Sequence, residues 1–130
     1  MKLWKIGVIG IGVIGVLWIV RYVMTPPPGT KMADQGREHV SQEKIAAFAY
    51  NSNPPTSGPH DPELIRAGVF TEPQNKGKLI HSLEHGYMVI YYKIRSQQLE
   101  DVVREKKLKK LILVPQPDLD TTIALTAWTY

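Results

Sequence analysis

Two histidines four residues apart, His81 and His85, lie in the segment HSLEHG at residues 81–86. On one turn of an α-helix, residues with this spacing share a face, and their Cβ atoms are roughly 6 Å apart. Both imidazoles can then reach one cation, so we predict His81 and His85 as metal ligands. The alternative is that one ring is a core residue bonded to backbone and the other is exposed.

Glu84 lies between these histidines, and HSLEH also fits the H-x-x-E-H pattern of inverted zinc peptidases, in which the glutamate is the general base. Those enzymes use a long helix. Here Gly86 and the apolar run after it leave room for about one helical turn, so we favour a Glu84 that is not catalytic. We expect its carboxylate to accept a hydrogen bond from an imidazole or from the preceding loop.

A loop rich in turn-forming residues, YNSNPPTSGPH at residues 50–60, ends on a third histidine. Its prolines restrict the backbone, so His60 is expected to be held in place. The polar side chains of the loop could orient imidazoles, or they could only satisfy the loop's own backbone. We predict His60 as a third ligand and His39 as a fourth candidate.

The chain has no cysteine, so a metal site must use imidazole, carboxylate or thioether ligands. Imidazole-rich coordination suits copper(II) or zinc(II). A thioether from Met88 or Met32 would shift the preference toward copper(I), although Met88 lies in an expected strand and can equally be a core residue.

The N-terminal run LWKIGVIGIGVIGVLWIVRYVM carries charges only at Lys5 and Arg21. A helix needs roughly 20 mostly apolar residues to cross the hydrocarbon core. Residues 1–24 are therefore predicted to be a retained membrane anchor that crosses the cell membrane once through residues 3–24, with the following domain outside the cytoplasm. A cleaved secretory signal is the alternative, but the segment after the run lacks the small residues of a cleavage site.

Residues 25–35 contain three consecutive prolines and are predicted to be a stiff spacer.

The part of the chain that follows the anchor is almost neutral. Three of the sixteen basic residues lie in the anchor, so thirteen remain against twelve acidic residues, an excess of +1. This balance argues against a nucleic-acid partner, and no protein partner is indicated. We interpret the basic run REKKLKK at residues 104–110 as the solvated end of a helix, with contact to anionic lipid headgroups or to an acidic partner as the alternatives.

Residues 36–130 are predicted to form one small α+β or α/β domain with a mixed sheet. The elements expected in it are a short helix over 61–68, a strand over 87–94, a helix over 97–110, and strands over 111–114 and 123–128.

The segments YNSNPPTSGPH and LIHSLEHGYMVIYY, with Glu38-His39-Val40 before them and IALTAW after them, resemble the family called domain of unknown function 3105. The resemblance covers roughly residues 36–128 and implies a membrane-anchored or secreted protein that carries one such domain. It implies no established activity. Members of this family commonly continue into a C-terminal helical segment, so we expect the domain to be short at its C-terminus.

Three functions remain open. The first is a metal-binding module outside the membrane, with His60, His81, His85 and His39 as ligands of copper or zinc. The second is a small zinc hydrolase with Glu84 as general base. The third is a structural or interaction domain without metal. We expect no enzymatic activity, because about 100 residues leave little material for a substrate cleft in addition to a core.

Overall fold

A computed structural model describes residues 3–26 and 28–130, with side chains from residue 10 onward. The apolar run forms helix α1, Leu3–Met24. The first two residues of the predicted anchor and Pro27 of the predicted spacer lie outside the described residues. A helix with the length and hydropathy of a membrane span is not found in the described part of the chain. The membrane anchor therefore stays a prediction.

The domain is built on one four-stranded mixed sheet. Its strands are β1 (Gly68–Val69), β2 (Met88–Tyr92), β3 (Leu111–Pro115) and β4 (Ile123–Thr126), in the order β1-β3-β2-β4. β3 is parallel to both β1 and β2, whereas β4 pairs with β2 in the antiparallel direction. The predicted small α+β domain with a mixed sheet is confirmed.

Three helices accompany the sheet: α2 (Gln42–Ala47), α3 (Lys76–Glu84) and α4 (Gln97–Lys106). Successive side chains of a strand point to opposite faces. Val89 and Tyr91 of β2 accordingly join the core cluster that includes Leu83 of α3, while Tyr92 joins the cluster that includes Val103 of α4. The sheet therefore lies between α3 and α4, and its α3 face leads to the predicted ligands.

The helix predicted over 61–68 is wrong. This segment has no regular structure until Gly68 begins β1, because tertiary contacts satisfy its backbone. The Asp61 carboxylate accepts a hydrogen bond from the Glu63 amide at 2.8 Å, and the Ser82 hydroxyl of α3 accepts one from the Ile65 amide at 2.9 Å. Asp61 thus forms a local turn instead of capping a helix.

Two helix lengths also differ from expectation. α3 has nine residues rather than one turn, since the Asn75 side chain caps it by accepting from the Lys78 amide at 3.1 Å. The helix expected over 97–110 begins as predicted after Ser96 but ends at Lys106, because Lys107 adopts the left-handed conformation with φ 48°. The basic run 104–110 is exposed along its whole length, as a solvated helix end requires.

Candidate metal centre

The segment containing His39 lies beside the loop that ends at His60. The Val40 amide donates to the His60 carbonyl at 2.9 Å, and the His60 amide donates to the Glu38 carbonyl at 2.8 Å. These two bonds form an isolated parallel bridge between His39 and His60. Residues 21 apart in sequence are thereby brought side by side.

The loop before His60 is fixed by its own side chains and by one glycine. The Tyr50 hydroxyl donates to the Pro59 carbonyl at 2.6 Å. Gly58 has φ +115°, which favours glycine, and a Cβ there would lie 3.0 Å from the Tyr50 ring. The Gly58 carbonyl in turn accepts a hydrogen bond from Nδ1 of His60 at 2.7 Å, so this glycine orients the imidazole.

Helix α3 carries the other residues of the centre and packs closely against the segment that follows His60. A Cβ on Gly77 would lie 3.0 Å from the Asp61 amide nitrogen, so only glycine permits this approach without a shift. One turn later, the buried Ser82 hydroxyl donates to the Ile65 carbonyl at 2.7 Å. α3 therefore contacts this segment at two positions, Gly77 and Ser82. These contacts fix the position of His81 relative to His60.

The result is a compact group of four side chains: His39, His60, His81 and Glu84. One ligand atom from each lies within 4.8 Å of the ligand atoms of the other three. The ring centroids of the three histidines are 4.8 to 5.0 Å apart. His60 and His81 are buried, Glu84 is half-buried and His39 is exposed. Three imidazoles and one carboxylate in this arrangement could hold a metal ion.

The hydrogen bonds of His60 define which of its nitrogens faces the group. The Gly58 carbonyl can only accept, so Nδ1 of His60 carries a proton. Nε2 then has a lone pair in the neutral ring, yet it lies 3.1 Å from Oε2 of Glu84. Two acceptors at this distance repel each other unless a proton or a cation lies between them. The pair therefore provides a cation-binding position even before the other two ligands are considered.

The surroundings of His81 disfavour its protonated form. Burial, and then the charge of neighbouring His60, lower the pKa of His81, while a backbone group of Asp61 has a smaller opposite effect. Its Nδ1 is buried and makes no hydrogen bond of good geometry within the described residues. An imidazole held neutral in this way keeps a lone pair available for coordination.

The predicted ligand His85 lies outside the group of four but touches it. Its Nε2 is 2.9 Å from Nε2 of His81, with the ring exposed. α3 ends at Glu84, so His85 is the C-cap residue, and Glu84 takes the position beside His81 at i+3 that we had assigned to His85 at i+4. The helical spacing indicated the correct face of α3, but the pattern did not identify Glu84 as a ligand candidate.

Met88 is not placed with the histidines by the fold. Met88 is exposed in β2, and strand alternation puts it on the α4 face of the sheet, opposite to α3. Met32 lies before the domain's first helix, where its amide donates to the Thr129 carbonyl at 2.9 Å.

Two residues that the sequence did not suggest form a wall beside the group. The Trp128 ring is in edge contact with His60 at 6.2 Å between centroids, and the Arg37 guanidinium lies 5.0 Å above the Trp128 ring. Arg37 also lies 3.9 Å from Oε1 of Glu84, which leaves Oε2 directed at the histidines. The only sequence signal for Trp128 was its place in the closing IALTAW segment.

The family described as "Protein of unknown function (DUF3105)" matches residues 39–130. No curated protein and no solved structure shows significant similarity to the chain. The match begins at His39 and includes all four members of the group, so the elements that build the candidate centre lie within the family's own domain. The chain belongs to the DUF3105 family.

Proposed function

We propose that this protein is a metal-binding module whose ligands are His39, His60, His81 and Glu84, and that its ion is copper or zinc. The observation that carries the proposal is the pair formed by Nε2 of His60 and Oε2 of Glu84 at 3.1 Å, with Nδ1 of His60 already committed to a carbonyl. With bonds of about 2.0 to 2.1 Å, two ligands of a tetrahedral zinc ion lie about 3.3 to 3.4 Å apart. The observed separation is close to that value.

The donor set supports a first-row transition metal. Imidazole nitrogen suits copper, zinc, iron and nickel, whereas calcium and magnesium prefer sites made only of oxygen ligands. Three neutral imidazoles and one carboxylate carry a total charge of −1, so a divalent ion is left with one positive charge. The chain offers no thiolate to select copper(I).

The test is metal analysis of the full chain, purified in detergent, loaded with zinc or copper(II) and then dialysed. We expect roughly one ion per chain. Replacing the exposed ligand in His39→Gln, or the carboxylate in Glu84→Gln, should weaken binding by at least the 10- to 100-fold that is usual for losing an outer-shell partner. Glu72→Gln is the matched control, because Glu72 is exposed and does not belong to the group of four.

Wild-type protein that retains no more metal than a sample treated with a strong chelator would refute the proposal. The chain would then be a structural domain in which a proton joins His60 to Glu84. If metal does bind, it must displace that proton. Calorimetry in buffers of different ionisation enthalpy should then show release of about one proton per ion bound.

We further propose that the domain is held at the outer face of a cell membrane by α1. The support is the apolar composition of residues 3–24, whose length of 22 residues is close to the roughly 20 that a span requires. A protease added to intact cells or spheroplasts should digest the domain. Survival of the domain until the membrane is permeabilised would contradict this orientation.

Catalysis is not favoured, because both oxygens of Glu84 face cationic or protonated groups. Oε2 contacts His60 and Oε1 faces Arg37, which does not suit a free general base beside a metal-bound water. We therefore expect the zinc-loaded protein to cleave neither peptide nor ester substrates. Cleavage that is lost in Glu84→Gln while zinc stays bound would favour the hydrolase instead.

A further inference from the structure

The histidine rings form a continuous series from the interior to the surface. His60 is completely buried, His81 is 6% exposed and His85 is exposed. The ring centroids of His60 and His81 are 5.0 Å apart, and those of His81 and His85 are 4.8 Å apart. Each ring is thus close enough to its neighbour for one ion to contact both. An ion arriving from solvent meets His85 well before it meets His60.

The backbone of His85 is fixed, but its ring is on the surface. Its amide donates to the carbonyls of His81 and Ser82 at 3.2 and 3.1 Å, and its carbonyl accepts from Nζ of Lys110 at 2.7 Å. Gly86 follows with φ +76°, which turns the chain into β2. These contacts hold the Cα of His85 in place beside His81 while the ring keeps access to solvent.

The distance between the two rings fits joint coordination. Nε2 of His85 lies 2.9 Å from Nε2 of His81. With bonds of about 2.0 to 2.1 Å, two nitrogens lie about 2.8 to 3.0 Å apart at 90°, as in square-planar copper(II), and about 3.3 to 3.4 Å apart at a tetrahedral zinc ion. In the metal-free protein the same two atoms share one proton as an N–H···N hydrogen bond. When an ion binds, that proton must leave Nε2, and the ring stays neutral because its other nitrogen takes up a proton.

We propose that His85 is an outer ligand through which the ion enters and leaves the centre, and that it is not part of the resident ligand set. The ion first binds His81 and His85 together. The bond to His85 then breaks as bonds to His60, Glu84 and His39 form, and the proton between His60 and Glu84 leaves to solvent. The bond to His81 is kept throughout. The metal keeps its oxidation state, and the reverse order of steps releases it. This inference rests on the proposed function.

His39 is the other exposed histidine, and it provides the comparison. It belongs to the group of four, whereas His85 does not. Loss of a resident ligand weakens equilibrium binding. Loss of a ligand used only on the way leaves the metal-bound state unchanged and removes one hydrogen bond from the metal-free state, so association and dissociation should slow by nearly the same factor. Loss of a resident ligand should therefore change the dissociation constant, whereas loss of an entry ligand should change the rates of association and dissociation.

The test uses zinc and the full chain in detergent. Stopped-flow measurements would follow zinc uptake by the metal-free protein, and zinc transfer from the loaded protein to an excess of a chromogenic chelator. For His85→Ala we expect both rates to fall roughly 10-fold or more, the scale of outer-shell effects, with the dissociation constant changed less than about 3-fold. For His39→Gln we expect the dissociation constant to rise.

Unchanged rates in His85→Ala, with wild-type affinity, would overturn the role of His85 while leaving the metal site intact. A dissociation constant that rises as much in His85→Ala as in His39→Gln would also overturn it, because His85 would then be a resident ligand. Absence of zinc binding by wild-type protein would refute the proposed function itself. Lys109→Ala is the matched control: it removes an exposed side chain next in sequence to Lys110, and no hydrogen bond between Lys109 and His85 is found in the described part of the chain.

Discussion

Gly77→Ala tests the close packing that positions the centre. An added Cβ would lie 2.6 Å from Cδ1 of Ile45, 3.0 Å from the Asp61 amide nitrogen and 3.2 Å from Cβ of Asp61. The Ile45 methyl is the end of a flexible side chain and can rotate away. The Asp61 backbone cannot, because its carboxylate is bonded to Gln42 and to the Glu63 amide. α3 and the segment after His60 must therefore move apart.

The expected magnitude follows from two opposing effects. Adding a methyl group to a tightly packed contact destabilises by about 1 to 3 kcal/mol. Alanine is favoured over glycine in a helix interior by up to about 1 kcal/mol, and less in the first turn, where Gly77 lies. The free energy of unfolding should fall by about 1 to 2 kcal/mol, which lowers the thermal midpoint of a domain of this size by roughly 4–8 °C per kcal/mol.

The assay is urea or thermal unfolding of the metal-free protein, followed by zinc titration of the folded variant. Gly68→Ala is the matched control, since its added Cβ would meet only the Phe70 ring at an ordinary 3.5 Å. The control should unfold within about 0.5 kcal/mol of wild type, as substitutions without strain usually do. Gly77→Ala should also bind zinc more weakly, because α3 carries His81. A Gly77→Ala protein as stable as Gly68→Ala would refute the reasoning.

Three further predictions concern stability. Ser82→Ala removes the partner of both the amide and the carbonyl of Ile65 and should lower the free energy of unfolding by about 1 to 3 kcal/mol in urea titrations. Glu100→Gln should lower the thermal midpoint, because Arg95 donates to this buried carboxylate at 2.7 Å and holds its pKa below the usual value. Acidification should destabilise the metal-free protein as the pH falls below about 6.5 toward the lowered folded-state pKa of His81, since the unfolded chain then binds the proton more readily.

The first two predictions have matched controls, and the third has a variant that tests its cause. Ser41→Ala removes an exposed hydroxyl that makes no capping hydrogen bond, and Glu105→Gln changes an exposed carboxylate on the same helix as Glu100. Stability losses as large in these controls would contradict the first two predictions. For the third, His81→Gln should show a smaller loss of stability between pH 6.5 and 5 than wild type. An identical pH profile would mean that other groups cause the acid sensitivity.

The sequence was sufficient to predict those elements whose structure depends on the local pattern of side chains. The run around Val89 and Tyr91 and the run around Ile112 are apolar on both faces, and both are central strands between helices. The helix after Ser96 was also predicted, since that residue caps it through a side-chain bond to the Leu99 amide. The sequence did not predict elements whose structure depends on a partner distant in the chain. Asp61 and Pro62 are typical of a helix start, but Ser82 of α3 bonds the backbone of that segment instead.

The same distinction applies to the candidate centre. Spacing alone related His81 to its neighbours in α3, and the proline loop indicated that His60 is held rigidly. Spacing did not indicate that His39 would pair with His60, because a two-residue parallel bridge has no periodic pattern. Nor did it indicate Trp128, which reaches His60 from the end of the chain.

The end of α3 determines which of its residues belong to the group of four and which one lies outside it. The Gly86 amide donates to the Leu83 carbonyl at 2.9 Å and the Tyr87 amide donates to the Ser82 carbonyl at 3.0 Å, with Gly86 in the left-handed conformation. This is the Schellman arrangement, and it satisfies the last carbonyls of the helix. A helix continued past this point would bring further residues over His81 and cover it. Because the chain turns instead, His85 becomes the last residue of this segment beside His81, and it stays exposed to solvent.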